Sequence, residues 1–571
     1  MKKIKIDFSA FQRFWVVAKP YWSSEEKWGA IGLLFLIITL TIVWANLGVF
    51  RNAQQGQFIS SLAEQDAAGF WQAVQRFLGV YLLSVPVIAT VHFTQDKLRL
   101  FWRNWMTNRF LNQYLSDRAF YDLNSEKIID NPDQRISEDI RTFCDESVKF
   151  FTIFTRAIMD IISYGAQLWF ISHTLVTSMV FYAFFGILIT TVGFGSILVP
   201  LKFQQRKKEA NFRFGLVRIR ENVESIAFYQ GALRELENVK KLLQDALRNY
   251  HRIVGWERNM EVFSNGYEFI AYILPALIVG PMILSGQTEV GVLTVASGAF
   301  FRVFRSLIVI ITRFEQMTDF VAGIERLESF SKLMEEPKVS HPEGTTTIDT
   351  VEDSRLSLQH LTLQTPNYQR TLVRDVSVDV QLGEGLLIVG VSGCGKSSIL
   401  RAIAGLWKSG TGAIYRAKLE EILFLPQRPY IILGSLRDQL LYPRTDLNIS
   451  DAEIYQVLKE VNLPDLAERL GGLDAIEDWE HVLSIGEQQR VAFARLLLTQ
   501  PRYAILDEAT SALDVKNEQN LYKHLQSLST TYISVGHRPT LLPYHQQVLE
   551  VVGDETWRVS CAQDYKFLAS G

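Results

Sequence analysis

The residues from 161 to 201 contain no aspartate, glutamate, lysine or arginine. A transmembrane helix needs about 20 predominantly apolar residues, and at about 1.5 Å per residue this run is far too long for a single crossing. It predicts the end of one membrane span, a turn near Ser172-His173-Thr174, and a second span. Buried core helices of a soluble protein are the alternative reading, and the length of the uncharged run disfavours it.

Further apolar segments lie on both sides of this run. Residues 29–50 carry no charge, and residues 77–93 are uncharged as well. The N-terminal stretch MKKIKIDFSAFQRFWVVAKPYW does not resemble a cleaved signal. We expect it to form an amphipathic elbow helix on the membrane lipid surface. The sequence therefore predicts a transmembrane domain over 1–330 with six spans, at about 29–50, 77–95, 147–171, 174–201, 262–285 and 289–312.

The distribution of lysine and arginine predicts the orientation of these spans. The N-terminus, residues 94–149 and residues 202–258 are rich in both. Residues 51–76 contain only Arg51 and Arg76, and the turns at 172–174 and 285–289 contain neither type. Both termini are therefore expected in the cytoplasm. The basic segments look helical, which indicates that the spans continue beyond the bilayer.

A few charged residues fall inside the predicted spans. Charges at membrane depth are costly and usually face a partner or a water-filled cavity. We expect them to line a polar translocation cavity; structural ion pairs or a position at the inner interface are the alternatives. The residues are Arg156, Asp160, Glu268, Arg302 and Arg305.

A polar linker is predicted at 331–354, and from 355 to 571 short β-like runs alternate with helices. The apolar run LLIVG leads into GVSGCGKSS. Its Gly390-x4-Gly395-Lys396-Ser397 spacing is a complete P-loop, in which backbone N–H groups wrap phosphates, the lysine reaches the β and γ oxygens and the serine ligates Mg²⁺. Alone, this motif also fits a kinase or a GTPase. The predicted phosphate-binding residues are Gly390, Ser392, Gly393, Cys394, Gly395, Lys396, Ser397 and Ser398.

Two further segments fit nucleotide hydrolysis. The apolar run of YAILDEATSALD ends in Asp507, which is suited to hold the metal, and Glu508 next to it is placed to orient or deprotonate the attacking water. The segment ISVGHR ends a second apolar run and places His537 where it could contact a γ-phosphate.

The stretch HVLSIGEQQRVAFARLLL predicts a helix with an anion-binding start. Ser484 and Glu487 have the spacing of a capping box, and a helix N-terminus is a ready site for an anion. A capped core helix without a ligand is the plainer interpretation.

These motifs follow one another in the order of the nucleotide-binding domain of ABC transporters: P-loop, Gln427 in FLPQRPY, LSIGE, LDE, SALD and GH. The segments NPDQRISEDI, ESIAFYQG and GCGKSSILRAIAGLW further resemble the subfamily D transporters of peroxisomes and lysosomes and their bacterial BacA-like relatives. The resemblance covers essentially the whole chain. It implies an exporter-type, all-α six-helix transmembrane domain followed by an α/β P-loop domain.

The resemblance also implies roles for single residues. Gln427, with Ser397 and Asp507, would contact Mg²⁺, and Asp514 would lie at a dimer interface. The loops at 124–140 and 218–236 would carry coupling helices. Adenine stacking is a departure from the family pattern, because the usual aromatic residue aligns nearer Thr365 than the candidate Tyr368.

In this family the signature segment of one chain completes the ATP site of another, so Ser484, Gly486 and Glu487 would face the ATP of a partner. The more usual signature is LSGGQ, which here has Ile485 and Glu487 in place of glycine and glutamine. Since the chain has one P-loop and one signature, a homodimer with two ATP and Mg²⁺ sites is expected.

The predicted function is that of an ATP-hydrolysing half-transporter for a hydrophilic or amphipathic solute, cobalamin-like or peptide-like. Fatty acyl-CoA is the alternative substrate, and a nucleotide-gated channel or regulator is the alternative from another class. The net charge of −3 gives no sign of a nucleic-acid partner, and three distant cysteines form no metal-ligand pattern. A bacterial plasma membrane, with the ATPase domain in the cytoplasm, is the expected location.

Overall fold

The computed structural model describes residues 8–125, 131–335, 346–444 and 446–567. The chain divides into two compact units, Met1–Lys338 and Val339–Gly571. The described part of the first is helical, and the second contains mixed β-sheets and helices. This confirms the expected fold class, an all-α transmembrane region followed by an α/β P-loop domain.

The first unit is built from long helices joined by short turns. Short π-helical segments cover Arg135–Asp139 and Ile189–Gly195, and a 3₁₀ turn covers Ser116–Arg118. The helices are α1 (Phe8–Trp22), α2 (Lys27–Ala63), α3 (Ala67–Leu115), α4 (Ala119–Ser125), α5 (Pro132–Gln134), α6 (Ile140–Ile171), α7 (His173–Leu188), α8 (Ser196–Glu221), α9 (Val223–Phe228), α10 (Ala232–Leu284), α11 (Gly291–Thr312) and α12 (Phe314–Glu335).

Among the described residues, five helical segments are long and apolar enough to cross a membrane: Lys27–Ala63, Ala67–Leu115, His173–Glu221, Ala232–Leu284 and Gly291–Val309. The expected third span, 147–171, lies on α6, where Arg156 and Asp160 lower the hydropathy. The count of six spans therefore stays a prediction. The described residues of the basic segments 94–149 and 202–258 are mainly helical as expected, because α3, α8 and α10 extend well past the apolar residues.

Helix packing in this unit leaves apolar side chains on the outside. Helix α2 contacts α3, α6 and α11, and α8 runs beside α10. Large apolar side chains such as Phe35, Leu82, Phe170 and Leu284 are exposed, as is expected where lipid takes the place of water. One buried cluster, which includes Trp102 and other aromatic residues, joins α1, α3, α6 and α12. A second joins α6, α7, α10 and α11.

The second unit contains ten strands in the described residues. They are β1 (Asp349–Glu352), β2 (Leu356–Gln364), β3 (Thr371–Val380), β4 (Gly385–Gly390), β5 (Gly410–Arg416), β6 (Ile422–Leu425), β7 (Tyr503–Asp507), β8 (Thr531–Val535), β9 (Gln547–Gly553) and β10 (Thr556–Cys561). The helices are α13 (Lys396–Ile403), α14 (Leu436–Leu441), α15 (Asp451–Glu460), α16 (Leu466–Arg469), α17 (Trp479–Val482), α18 (Ile485–Thr499) and α19 (Val515–Ser527).

Two sheets organise these strands. A six-stranded sheet has the order β10-β9-β4-β8-β7-β6, and a four-stranded sheet has the order β1-β5-β2-β3. In the larger sheet the neighbours from β9 to β6 are parallel, and β10 is antiparallel to β9. Leu387 and Val389 of β4 belong to one core cluster, whereas Leu386 and Ile388 belong to another. Because successive side chains of a strand point to opposite faces, this sheet is covered by apolar residues on both sides, as parallel strands require.

The segment 331–354, expected to be a linker, has structure at both ends. Helix α12 continues to Glu335, and β1 pairs in parallel with β5, with Asp349 opposite Ala413. Composition did not indicate this strand, because β1 is polar and exposed and becomes regular through pairing with β5. Residues 336–345, and residues 126–130 of the expected coupling loop 124–140, lie outside the described residues.

Candidate functional site

The carboxyl ends of three neighbouring parallel strands form the edge at which the candidate nucleotide residues meet. Strand β4 pairs with β8, and β8 pairs with β7. The P-loop follows β4, His537 follows β8, and β7 ends at Asp507. Ligands of open α/β sheets bind outside the carboxyl ends of the strands, so the topology brings the P-loop to Asp507 and His537, which follow it by more than 100 positions in the sequence.

The P-loop closes around the side chain of its own lysine. Lys396 is 6% exposed, and its Nζ donates hydrogen bonds to the carbonyl oxygens of Gly390 and Val391, each at 2.9 Å. Gly390 has φ of 146°, and a Cβ there would lie 2.3 Å from the Val551 carbonyl oxygen, so only glycine fits. The remaining predicted loop residues line the turn from β4 into the start of α13: Ser392, Gly393, Cys394, Gly395, Ser397 and Ser398.

Asp507 lies against the start of α13. The Ser397 hydroxyl donates to Asp507 Oδ1 at 3.1 Å. Burial raises the pKa of Asp507 above its ordinary value, although the bond from Ser397 opposes the shift. A hydroxyl and a carboxylate that touch in this way are both ligands that Mg²⁺ accepts.

Glu508 is held by side chains from two other segments. Gln427 Nε2 donates to Glu508 Oε2 at 2.8 Å, and His537 Nε2 lies 3.2 Å from Glu508 Oε1. The Glu508 backbone is left-handed, with φ of 48°, and its N–H donates to the Val535 carbonyl oxygen at 3.1 Å. The three polar side chains predicted to act on nucleotide, water and metal therefore form one contiguous cluster.

The start of α18 has the predicted capping box. The Glu487 N–H donates to Ser484 Oγ at 3.3 Å, and the Ser484 N–H donates to Glu487 Oε2 at 2.9 Å. Glu487 Oε1 accepts a 2.6 Å bond from Arg469 Nη2. Partial burial opposes ionisation, yet the bonds from Arg469 and Ser484 bring the pKa of Glu487 below its ordinary value. Arg469 had not been singled out in the sequence, because it lies on another short helix.

Gln489 is a second residue that sequence reasoning missed. It is 1% exposed, and its Nε2 donates to the Gln427 carbonyl oxygen at 3.1 Å and to Ser511 Oγ at 3.2 Å. Its Oε1 accepts from the Ala512 N–H at 3.0 Å. Gln489 thus joins α18 to the Gln427 segment and to the SALD loop. Gln489 stands in the polar run Glu487–Arg490 at the start of α18, so the sequence did not distinguish it from its neighbours.

Three nucleotide-domain candidates remain: Asp514, Gly486 and Tyr368. Asp514 caps α19: its Oδ1 accepts from the Asn517 N–H at 2.8 Å, which lowers the pKa of Asp514. Gly486 lies near this loop, since a Cβ there would be 3.4 Å from the Ala512 carbonyl oxygen. Tyr368 is half-buried in a turn after β2, and its hydroxyl donates to the Thr346 carbonyl oxygen at 3.3 Å.

Within the membrane unit, three of the predicted charges form one cluster. Arg302 Nε of α11 lies 3.3 Å from Asp160 Oδ2, and Arg156 Nε lies 3.7 Å from the same oxygen. Asp160 is 4% exposed. The Arg156 guanidinium lies 3.8 Å from the ring centre of Trp44 on α2, and Arg302 is 5.9 Å from the rings of Trp44 and Tyr164. Two cations therefore share one carboxylate beside two aromatic rings, which sequence reasoning had not included.

The other two predicted charges form a separate and more open pair. Arg305 Nη2 lies 3.3 Å from Glu268 Oε1, and both side chains are exposed. This pair bridges α10 and α11. The structure thus divides the five predicted residues into a group of three around the buried Asp160 and an exposed pair.

Comparisons with known families match both halves of the chain. Residues 17–284 match the family described as ABC transporter transmembrane region 2. Residues 373–511 match the family described as ABC transporter.

Three relatives align with most of the chain. An uncharacterized ABC transporter ATP-binding protein of Synechocystis sp. is 43% identical over 94% of this chain and 82% of its own length. The chloroplastic ABC transporter D family member 2 of Arabidopsis thaliana is 37% identical, over 96% of this chain and 88% of the relative. The human lysosomal cobalamin transporter ABCD4 is 31% identical, over 97% of both chains.

Proposed function

The chain belongs to the ABC transporter family as a half-transporter of subfamily D type, and we propose that two copies form a homodimer with two equivalent ATP sites. Membership of the family establishes a membrane protein that binds ATP and couples its hydrolysis to transport. The dimer, the residue roles and the transported solute are the parts proposed here.

The arrangement of the signature segment supports the dimer. Ser484 and Glu487 bond each other and Arg469, whereas the P-loop residue Ser397 bonds Asp507. In the described part of the chain, no side-chain hydrogen bond joins residues 484–487 of the signature segment to residues 390–398 of the P-loop. One chain therefore presents both halves of an ATP site without joining them, and a second copy supplies the missing half to each.

The cluster at the sheet edge supports the assignment of roles. Ser397, Asp507 and Gln427 offer hydroxyl, carboxylate and amide oxygens, a donor set that suits Mg²⁺. When bound, the ion would neutralise charge on the phosphates. Glu508 would take the proton of the attacking water, while Gln427 and His537 orient its carboxylate from either side.

The cluster of Asp160 with its two arginines supports a hydrophilic or amphipathic solute. Its formal charge is +1, since Arg156 and Arg302 share one carboxylate. A charged side chain at membrane depth is costly and often marks the pathway of a polar solute. A cobalamin-like or peptide-like molecule with an anionic group fits this charge. A fatty acyl-CoA, with its phosphates, is the second candidate because it could use the same arginines.

The charge distribution along the chain supports a cytoplasmic ATPase domain. Lysine and arginine are concentrated in residues 94–149 and 202–258 and scarce in residues 51–76. By the positive-inside rule, the two basic segments are therefore placed in the cytoplasm. With relatives in bacteria, a bacterial plasma membrane is the proposed location.

Replacing Glu508 with glutamine tests this assignment. In the purified full chain, Glu508→Gln should lower ATP turnover by about 10²- to 10⁴-fold, as is typical for loss of a general base, and should leave ATP binding intact. The exposed Glu420 supplies a matched control, since Glu420→Gln makes the same chemical change away from the cluster. Near-normal turnover by Glu508→Gln would refute the role of Glu508.

Two further measurements separate the remaining candidates. Cobalamin, acyl-CoA and peptides are compared as stimulators of the ATPase, and the proposed solute class requires stimulation by cobalamin or a peptide. In vesicles, solute flux that stops in Glu508→Gln supports a transporter. Passive conductance that ATP opens without turnover would support a channel instead.

A further inference from the structure

We propose that Arg469 is a positioning residue for the ATP of the partner copy, because its guanidinium neutralises Glu487 and leaves the start of α18 able to receive a phosphate. This inference rests on the proposed function, in which the signature segment meets the nucleotide of the other chain. It assigns a role to a side chain that lies outside the motifs.

The need for a counter-charge follows from the sequence of the signature. Glu487 stands in the first turn of α18, where a carboxylate stabilises the helix through its dipole. The same position repels a phosphate that approaches the same N–H groups. Its side chain is only 15% exposed, so solvent screens this charge incompletely.

The structure places Arg469 where it offsets that charge. Arg469 Nη2 lies 2.6 Å from Glu487 Oε1, a short charge-assisted bond. Arg469 ends α16, and the neighbouring Leu466 and Ala467 are buried in the main core of the nucleotide domain. The backbone that carries the guanidinium is therefore held by packing.

The next cation along α18, Arg490, is close enough to attract the Glu487 carboxylate, but its hydrogen bonds go elsewhere. Arg490 Nη1 donates to the Asn462 carbonyl oxygen at 2.6 Å, and its Nε donates to the Gly486 carbonyl oxygen. In the described part of the chain, the side-chain hydrogen bonds of Arg490 go to these backbone carbonyls, whereas Glu487 forms its ion pair with Arg469. Asp514, which also attracts Arg490, accepts a hydrogen bond from Asn517 Nδ2.

The serine hydroxyl shows how the ion pair would act on binding. Ser484 Oγ lies 2.9 Å from Glu487 Oε2, and the hydroxyl donates a hydrogen bond to the carboxylate. An incoming phosphate must compete for that proton. Arg469 binds Glu487 Oε1 and thereby lowers the negative charge on the carboxylate. The hydrogen bond from Ser484 to Glu487 Oε2 is therefore weaker, and a phosphate displaces it more easily.

ATP dependence of hydrolysis by the full-length dimer tests the proposal. Arg469→Gln should raise the KM for ATP about 10-fold, equivalent to 1.4 kcal/mol, with a much smaller change in kcat. Arg469→Lys, which keeps the charge, should restore most of the loss. Arg469→Gln combined with Glu487→Gln should return the KM to that of Glu487→Gln alone, because no uncompensated carboxylate remains.

A matched control removes an arginine of another ion pair. Arg502 pairs with Glu421 at the amino end of β7, the opposite end of that strand from Asp507, and Arg502→Gln should leave the KM unchanged. An unchanged KM in Arg469→Gln, or a double variant as impaired as Arg469→Gln, would overturn the positioning role. If Arg469→Gln does not fold, the double variant decides: a KM like that of Glu487→Gln supports the role, and a raised KM overturns it. A normal KM in Ser484→Ala would instead refute the proposed dimeric site.

Discussion

Replacing Asp160 with asparagine should destabilise the membrane unit more than removing either of its arginines. Arg156, Asp160 and Arg302 carry a formal charge of +1, which Asp160→Asn raises to +2 and Arg156→Gln lowers to zero. Asp160→Asn leaves the side-chain volume nearly unchanged, whereas Arg156→Gln shortens the side chain and removes its contact with the Trp44 ring. A larger loss of stability in Asp160→Asn, despite the smaller change in packing, therefore reports the charge balance.

The distances give the scale of the effect. At an effective dielectric constant of about 20, unit charges at the two observed separations, 3.3 Å and 3.7 Å, attract by roughly 5.0 and 4.5 kcal/mol before the cost of desolvation. Removing one partner of a buried pair typically costs about 3–5 kcal/mol. Both guanidinium groups are about one-third exposed, so the lower limit, about 3 kcal/mol, is the expected loss for Asp160→Asn.

Thermal unfolding of the detergent-purified full chain measures the effect. We expect the midpoint to fall by about 5 °C or more in Asp160→Asn and by less than half as much in Arg156→Gln. The pair of Glu268 and Arg305 has the same 3.3 Å separation but is exposed, so Glu268→Gln is the control and should cost at most about 1 kcal/mol. Equal midpoints for Asp160→Asn and Arg156→Gln would refute the reasoning.

Two further predictions concern the nucleotide domain. Gln489→Leu leaves partners of three hydrogen bonds unsatisfied, so at about 1 kcal/mol per bond the free energy of unfolding of the nucleotide domain should fall by about 3 kcal/mol. Chemical unfolding measures this loss, and an unchanged free energy of unfolding would contradict the bridging role. Burial lowers the pKa of His545 to about 4, below its unfolded value of about 6.5. Between these two pH values the unfolded chain therefore binds more protons than the folded chain. The free energy of unfolding should decline by about 1.4 kcal/mol per pH unit as the pH falls from 6.5 towards 4. The decline should be weaker in His545→Gln, and an identical pH profile in both proteins would rule out this contribution.

The motifs of the nucleotide domain could be predicted because their chemistry is local. The P-loop is a short run whose glycines, lysine and serine stand at fixed spacing, and the LLIVG run before it is β4. Ser484 and Glu487 of the capping box are three positions apart, and the box forms as the sequence indicates. In each case the interacting groups are close in the chain, so their spacing determines the geometry.

The partners of those motifs could not be predicted, because they depend on packing between distant elements. Arg469 meets Glu487 across a separation of 18 positions, and nothing in the composition of α16 indicates its direction. Likewise, the sequence placed all five charges inside the predicted spans, but it did not indicate that the rotation of α11 pairs Arg302 with Asp160 on α6. Depth follows from counting residues, whereas the direction of a side chain depends on neighbouring helices.

The unbroken course of α10 has a mechanical consequence. Its 53 residues run from Ala232 to Leu284, and Glu268 stands 36 positions from the start, which corresponds to about 54 Å at 1.5 Å per residue. A helix of this kind behaves as a lever, so a tilt of about 5° around its first turn would displace the Glu268 backbone by roughly 5 Å. That displacement exceeds the length of the bond to Arg305. A small rotation of α10 about its first turn is therefore enough to separate Glu268 from Arg305.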